Sequence, residues 1–207
     1  LYGNPVDPNT HDLQRNACSR GARHALIGDP RNDENIIVSQ LQGIFLRFHN
    51  AVVDYYKSRG ETKTFDEIRD EVRWHYQWMI INDFLPTIIN RNVISKILPH
   101  LEHGGTLHHH APVLPLFKNE TREPYMPIEF SVAAYRFGHS MVRPLYRLNP
   151  YRERMFIFPD LVGFDAIPDN HAIDWRLFFD LHPDQPKPPT GPERVQPSYK
   201  IDTSLVD

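Results

Sequence analysis

Residues 135–140 read Tyr-Arg-Phe-Gly-His-Ser and lie inside a segment whose apolar residues recur at helical spacing. That spacing predicts an amphipathic helix over about residues 127–143, which Pro144 ends. A glycine inside a helix costs about 1 kcal/mol relative to alanine. The presence of Gly138 therefore indicates that a bulky group approaches the backbone there.

The histidine that follows this glycine is a candidate metal ligand. A flat macrocycle lying against the helix would use the space at Gly138, and the imidazole of His139 would supply one axial bond to its iron. Arg136 lies one turn earlier on the same side, where a guanidinium would reach an anionic propionate. Gly-His pairs also occur in ordinary helix packing, so these residues alone leave a purely structural helix open.

A second cluster, residues 28–35, reads Gly-Asp-Pro-Arg-Asn-Asp-Glu-Asn and precedes a long apolar stripe. The stripe predicts a helix over about residues 34–56, with Asp33 as its N-cap and Gly60 in its stop signal. Acidic residues suit the positive end of a helix dipole. An ion pair within the turn would account for Arg31 structurally.

The rest of the chain completes a mainly α fold class. Thr64 and Glu67 form a capping-box pattern, and the apolar spacing after them predicts a helix to about Phe84. Pro86 is expected to break that helix, with a short one resuming as far as Ile97.

The domain prediction is one partial domain over residues 1–180, with a Pro-rich extended tail over 181–207 that belongs to it. Residues 183–197 alone hold six prolines, a density typical of extended chain. The net charge of -3 gives no reason to expect a nucleic acid partner. No apolar run approaches the roughly 20 residues of a membrane span. Cys18 is the only cysteine, so it excludes an intrachain disulfide and leaves the compartment open.

The other histidines have ordinary interpretations. Residues 108–110 are three consecutive histidines in a loop, but adjacent side chains do not converge on one metal, and no other ligand type stands at ligand spacing around them. His49 and His75 fall on apolar helix faces and are predicted to be core histidines.

Both clusters, in this order, resemble the animal haem peroxidase (cyclooxygenase-like) superfamily. Residues 28–34 match its Gly-Asp-x-Arg-x-x-Glu pattern. Residues 47–50 match the Arg-x-His-Asn part of its Leu-x-Arg-x-His-Asn pattern, with Leu46 one position nearer to the arginine than in the family. Residues 84–86 look like its Tyr-Leu-Pro stretch, and residues 135–139 are similar to its Phe-Arg-Tyr-Gly-His signature. Residues 1–3 look like the Tyr-Gly step that follows its calcium loop. The resemblance implies an incomplete haem-peroxidase-like helical core with long irregular connections.

The resemblance also implies roles for single residues around a haem b cofactor. His139 would be the proximal axial ligand, and Arg136 a partner of a haem propionate. Arg31 would be the distal arginine, whose fixed charge stabilises the negative charge that develops as the peroxide O–O bond breaks. Glu34 matches a glutamate that forms an ester to the haem. Asn35 stands where one member has a haem-bonded methionine, so that bond is excluded here.

The departures from the family pattern concern the other half of the site. The family's distal histidine, which moves the peroxide proton, and its calcium loop both precede the step matched by residues 1–3. We therefore expect this chain to carry half of a catalytic site, with the remainder of its own domain as a separate segment. The asparagine that bonds the proximal histidine has no match after Leu177. An extracellular location is favoured by the resemblance alone.

The expected activity is that of a haem-dependent peroxidase, which reduces hydrogen peroxide through a ferryl intermediate and oxidises a small donor or halide. Two alternatives stay open. A fatty-acid dioxygenase of the same superfamily would carry a tyrosine three residues before the proximal histidine, where this chain has Arg136. A catalytically incomplete binding module would keep the haem pocket without the reaction.

Overall fold

The computed structural model describes residues 12–16, 23–104, 108–111 and 125–179. This part of the chain is mainly helical, as the sequence predicts. The α-helices are α1 Ile36–Ser58, α2 Phe65–Met79, α3 Leu85–Ile88, α4 Arg91–Ile97 and α5 His100–His103. The described residues also contain two π-helical turns, Ile80–Phe84 and Phe130–Ala134. Four 3-10 segments complete the helical structure: Pro30–Asp33, Tyr135–Met141, Asp169–His171 and Trp175–Leu177. Strands β1 Leu145–Tyr146 and β2 Met155–Phe156 pair antiparallel, with Leu145 opposite Phe156.

The chain divides into two compact units, residues 1–51 with 128–207 and residues 52–127. In the first unit the core lies between the start of α1 and the irregular chain after residue 145, where Leu148 and Leu161 are fully buried. In the second unit α2 to α5 bury a small set of aliphatic side chains, Ile68, Ile94 and Leu98. The predicted boundary at residue 180 stays a prediction, because residues 180–207 lie outside the described residues.

The start of α1 differs from the prediction. The helix begins at Ile36, and its N-cap is Asn35, whose Oδ1 accepts a hydrogen bond from the backbone N–H of Ile37 at 2.9 Å. Asp33 is not the cap. It is buried, and its carboxylate accepts hydrogen bonds from Arg15 at 2.7 and 2.9 Å. Its partner is a distant arginine, which local pattern does not reveal.

The end of α1 and the start of α2 confirm the predicted helix stop at Gly60 and the predicted capping box of Thr64 and Glu67. Gly60 has a φ of 72° and its N–H donates to the carbonyl of Lys57 at 3.0 Å, a helix stop that favours glycine. Thr64 Oγ1 accepts from the N–H of Glu67 at 3.3 Å, and the Glu67 carboxylate accepts from the N–H of Thr64 at 2.8 Å. The capping box therefore forms as predicted.

The break expected at Pro86 does not occur. The chain continues from α2 through the π-helical turn Ile80–Phe84 into α3, whose second residue is Pro86. A proline lacks the N–H that continues the helical hydrogen bonds, and here the hydrogen-bond pattern changes from α to π directly before it. The expectation that His75 is a core residue is also wrong. Its side chain is exposed, and its Nδ1 lies 2.9 Å from the carbonyl oxygen of Glu71.

Candidate haem-binding site

His139 lies in the exposed 3-10 segment Tyr135–Met141. Its Nδ1 is 2.8 Å from the carbonyl oxygen of Arg136. Since a carbonyl oxygen only accepts, Nδ1 carries the proton, and the lone pair of the neutral ring is on Nε2. A metal-bound histidine uses this arrangement, with one ring nitrogen fixed by a backbone carbonyl and the other bound to the metal. The local backbone thus leaves Nε2 as the ring nitrogen that could bind a metal.

The surface beside this imidazole has room for a flat group. A Cβ built on Gly138 would meet no atom of the described residues within 4 Å. The side chains around it are exposed apolar groups, since Val132 is 65% and Phe137 61% exposed. The predicted amphipathic helix is therefore present over residues 128–141, but its apolar side is open. This is the surface that an apolar macrocycle bound by His139 would cover, so the residues present fit the group.

Arg136 is exposed on the same segment. Its Nε donates to the carbonyl oxygen of Ser131 at 3.2 Å. No other hydrogen bond of its guanidinium is formed within the described residues, so its remaining N–H groups suit an anionic partner such as a carboxylate.

The second cluster is organised by Asp29. Its side chain caps the turn Pro30–Asp33 by accepting from the N–H of Arg31 at 3.0 Å, and its Oδ2 accepts from Arg31 Nη2 at 2.6 Å. The hydrogen bonds from Arg31 lower the pKa of Asp29 to about 2. The ion pair within the turn, one of the two interpretations of Arg31, is therefore present. It leaves the arginine side chain 78% exposed and permanently charged.

The neighbouring carboxylates also act on Arg31. The pKa of Arg31 is raised first by its hydrogen bond to Asp29, then by the charge of that carboxylate, and further by the charge of Glu34. The guanidinium of the second cluster therefore keeps its positive charge.

The turn that holds Arg31 and Glu34 is fixed by residues 161–164. The N–H of Gly163 donates to the carbonyl of Glu34 at 3.0 Å, and the N–H of Phe164 donates to the carbonyl of Asp33 at 2.8 Å. A Cβ at Gly163 would overlap the backbone of Asp33, so only glycine permits this approach. The Glu34 side chain remains exposed on the outside of the turn.

A buried ion cluster, which sequence reasoning missed, supports the same turn from inside. Arg15 pairs with Asp33 at 2.7 Å and with Asp12 at 2.9 Å, and all three side chains are at most 6% exposed. Burial lowers the pKa of Arg15, but the hydrogen bonds to both carboxylates outweigh it and raise the pKa overall. Asp12 also accepts from the N–H of Ile167 at 3.1 Å. Separation along the chain hides this cluster from local pattern.

Other predicted features of the chain bear less on the site. Within the described ranges, no three side chains of ligand type are gathered for a metal, the histidines of 108–110 included. Burial lowers the pKa of His49, which is partly buried on α1. Among the helices described, α1 with its 23 residues is long and apolar enough to cross a membrane by length and composition, a test that the core helix of a soluble protein also passes. Residues 1–3 and Cys18 lie outside the described residues.

The family model described as animal haem peroxidase matches residues 3–160, a range that contains both clusters. This chain belongs to the animal haem peroxidase family. No solved structure matches the chain.

Curated relatives resemble the chain at low identity. A chorion peroxidase of Drosophila melanogaster is 28% identical over 159 residues, which cover 74% of this chain and 19% of the relative. A peroxidase-like protein of Margaritifera margaritifera is 30% identical over 152 residues, covering 70% of this chain and 16% of the relative. The thyroid peroxidase of Mus musculus is 26% identical over 145 residues, covering 68% and 14%. The chain spans less than a fifth of each of these relatives.

Proposed function

We propose that this chain is the haem-binding part of a haem-dependent peroxidase, an oxidoreductase that reduces hydrogen peroxide and oxidises a small donor or halide. The observation that carries the proposal is the hydrogen bond from Nδ1 of His139 to the carbonyl of Arg136, which leaves Nε2 available beside an unobstructed glycine. Membership of the animal haem peroxidase family supports haem as the group bound there.

In this proposal three residues hold the cofactor. His139 would bind the iron through Nε2, and Arg136 would pair with a propionate. Glu34, exposed in the turn that carries Arg31, would be the residue for an ester link to the haem. The haem supplies the redox chemistry of its iron, and the chain supplies position and charge.

Arg31 is the proposed catalytic residue. Its guanidinium is held by Asp29, so its position is set before the substrate arrives. A fixed cation of this kind stabilises the negative charge that accumulates on the peroxide oxygens as their bond breaks.

The residue at one sequence position favours a peroxidase over a fatty-acid dioxygenase. The residue three before His139 is Arg136, whereas the dioxygenases carry a tyrosine there. Tyr135 stands four residues before and is 65% exposed. A cationic side chain at the position of that tyrosine cannot supply a phenoxyl group.

The experiment is to reconstitute the chain with hemin and assay peroxide-dependent guaiacol oxidation in parallel with linoleate-dependent oxygen uptake. Peroxide-dependent oxidation that disappears in His139→Ala supports the proposal. Oxygen uptake without guaiacol oxidation would assign the dioxygenase reaction. Hemin binding at His139 without either activity would assign a binding module.

A further inference from the structure

His171 is a buried histidine in the core of the first unit. It is 8% exposed, and its Nδ1 has no hydrogen-bond partner within the described residues. A neutral imidazole tolerates this position better than an imidazolium, because burying a charge without a partner is costly.

The backbone around this ring is fastened to α1 by a single amide. Gln40 is 1% exposed, its Nε2 donates to the carbonyl of His171 at 2.8 Å, and its Oε1 accepts from the N–H of Ile173 at 2.9 Å. Ile173 belongs to the same buried cluster as Ile36, the first residue of α1. Residues 171–173, which we call the latch, are thus attached to the helix that follows the Arg31 turn.

Two charged residues that follow β1, Arg152 and Asp160, act on the His171 ring. Burial is the largest cause of its lowered pKa, the charge of Arg152 lowers it further, and the charge of Asp160 opposes both. Arg152 Nε is itself buried and has no hydrogen-bond partner among the described residues. The carboxylate of Asp160 accepts from the N–H of Phe156 at 2.9 Å.

The remaining groups on the neighbouring elements are neutral, paired or exposed. α1 contributes the uncharged amide of Gln40 to this segment. On the segment itself Asp174 is paired with Arg176 at 2.6 Å, and Asp169 lies exposed in the turn before the ring.

We infer that the latch is acid-sensitive: protonation of His171 releases residues 171–173 from Gln40 and loosens the packing against the first turns of α1. Protonation would put an N–H at the buried Nδ1, which has no acceptor among the described residues, and would place a second positive charge near Arg152. The inference concerns the polypeptide alone and does not depend on haem.

The direction of the pH effect follows from linkage. The folded-state pKa of His171 lies below the unfolded value of about 6.5, so the unfolded chain binds the proton first as the pH falls. The stabilisation is complete above pH 6.5 or so and is lost below it. As the pH falls between the two pKa values, the unfolding equilibrium constant increases, and for one proton this increase is at most about tenfold per pH unit.

The test is urea unfolding of the chain between pH 8 and pH 5, compared with His171→Gln. In His171→Gln the free energy of unfolding should fall less steeply with decreasing pH, by up to the slope that one proton contributes. The control His75→Gln, which changes an exposed histidine on α2, should keep the slope of the natural chain. Amide hydrogen exchange locates the effect, since protection of the Ile173 N–H should fall on acidification in the natural chain only. An unchanged slope in His171→Gln overturns the inference.

A second measurement covers the case in which that variant does not fold. NMR titration of the His171 ring in the natural chain should give a midpoint below 6.5, and Arg152→Gln should raise it because a nearby cation is removed. A midpoint at or above 6.5 overturns the inference.

Discussion

Nδ1 of His139 and the carbonyl oxygen of Arg136 are 2.8 Å apart within one helical turn. This contact fixes both the ring orientation and the tautomer through the backbone alone. The same turn therefore leaves Nε2 of His139 free for a ligand bond and carries the guanidinium of Arg136. The proposed iron ligand and the proposed propionate partner are three residues apart in the sequence.

A substitution at Gly138 should affect hemin binding and the stability of the chain in different ways. Replacing it by leucine should leave the free energy of unfolding of the haem-free chain unchanged or raise it by up to about 1 kcal/mol, since the added side chain meets open space and favours the helix. The same variant should weaken hemin binding by about 5- to 150-fold, which corresponds to about 1–3 kcal/mol for an overpacked contact. Urea unfolding and a hemin titration measure the two effects. Unchanged hemin affinity would contradict the proposed position of the macrocycle.

Arg31→Ala should leave hemin bound and slow the reaction with hydrogen peroxide by about 10²–10³-fold, the scale for one lost electrostatic donor. Stopped-flow absorbance after mixing with peroxide measures the rate. Arg69→Ala is the matched control, because Arg69 is an exposed arginine that also pairs with an aspartate, Asp66 at 2.8 Å. Equal rates in the two variants would show that Arg31 has no part in the reaction.

Glu34 provides a test for covalent attachment. After turnover with peroxide, acid–acetone extraction should leave haem on the natural chain and remove it from Glu34→Gln, which has no carboxylate to form an ester. Absorbance of the precipitated protein reports the retained haem. Complete release from the natural chain would show that the cofactor is held only by noncovalent contacts.

Arg15 is expected to stabilise the fold, because it is buried and pairs with Asp12 and Asp33. Arg15→Ala leaves the carboxylates of Asp12 and Asp33 buried without their cation, and should lower the free energy of unfolding by about 3–5 kcal/mol. Arg69→Ala, whose ion pair is exposed, should cost less than about 1 kcal/mol. Urea unfolding compares the two. Equal losses would mean that the buried cluster does not support the turn of Arg31.

Features set by neighbours in sequence were predictable. The capping box of Thr64 and Glu67 and the helix stop at Gly60 depend on groups at most four residues apart, and both form. The hypothesis that His139 is a ligand also came from adjacent residues, since Gly138 directly precedes it inside the predicted helix. The resemblance of the motifs to a family added their order along the chain.

Features set by distant contacts were not predictable. Asp33 looked like an N-cap because its partner Arg15 is 18 residues away. The need for glycine at position 163 arises from the backbone of Asp33, and no local pattern reveals such an approach. His75 was placed in a core because an apolar stripe was assumed to be buried, yet that face of α2 is largely exposed.

The most direct measurement for the central claim is an absorbance titration of the chain with hemin, comparing natural chain, His139→Ala and His75→Ala. The account predicts a saturable Soret band at one hemin per chain in the natural protein and in His75→Ala, and its loss in His139→Ala with partial recovery on adding free imidazole. An identical Soret spectrum and affinity in His139→Ala would contradict iron coordination at this residue.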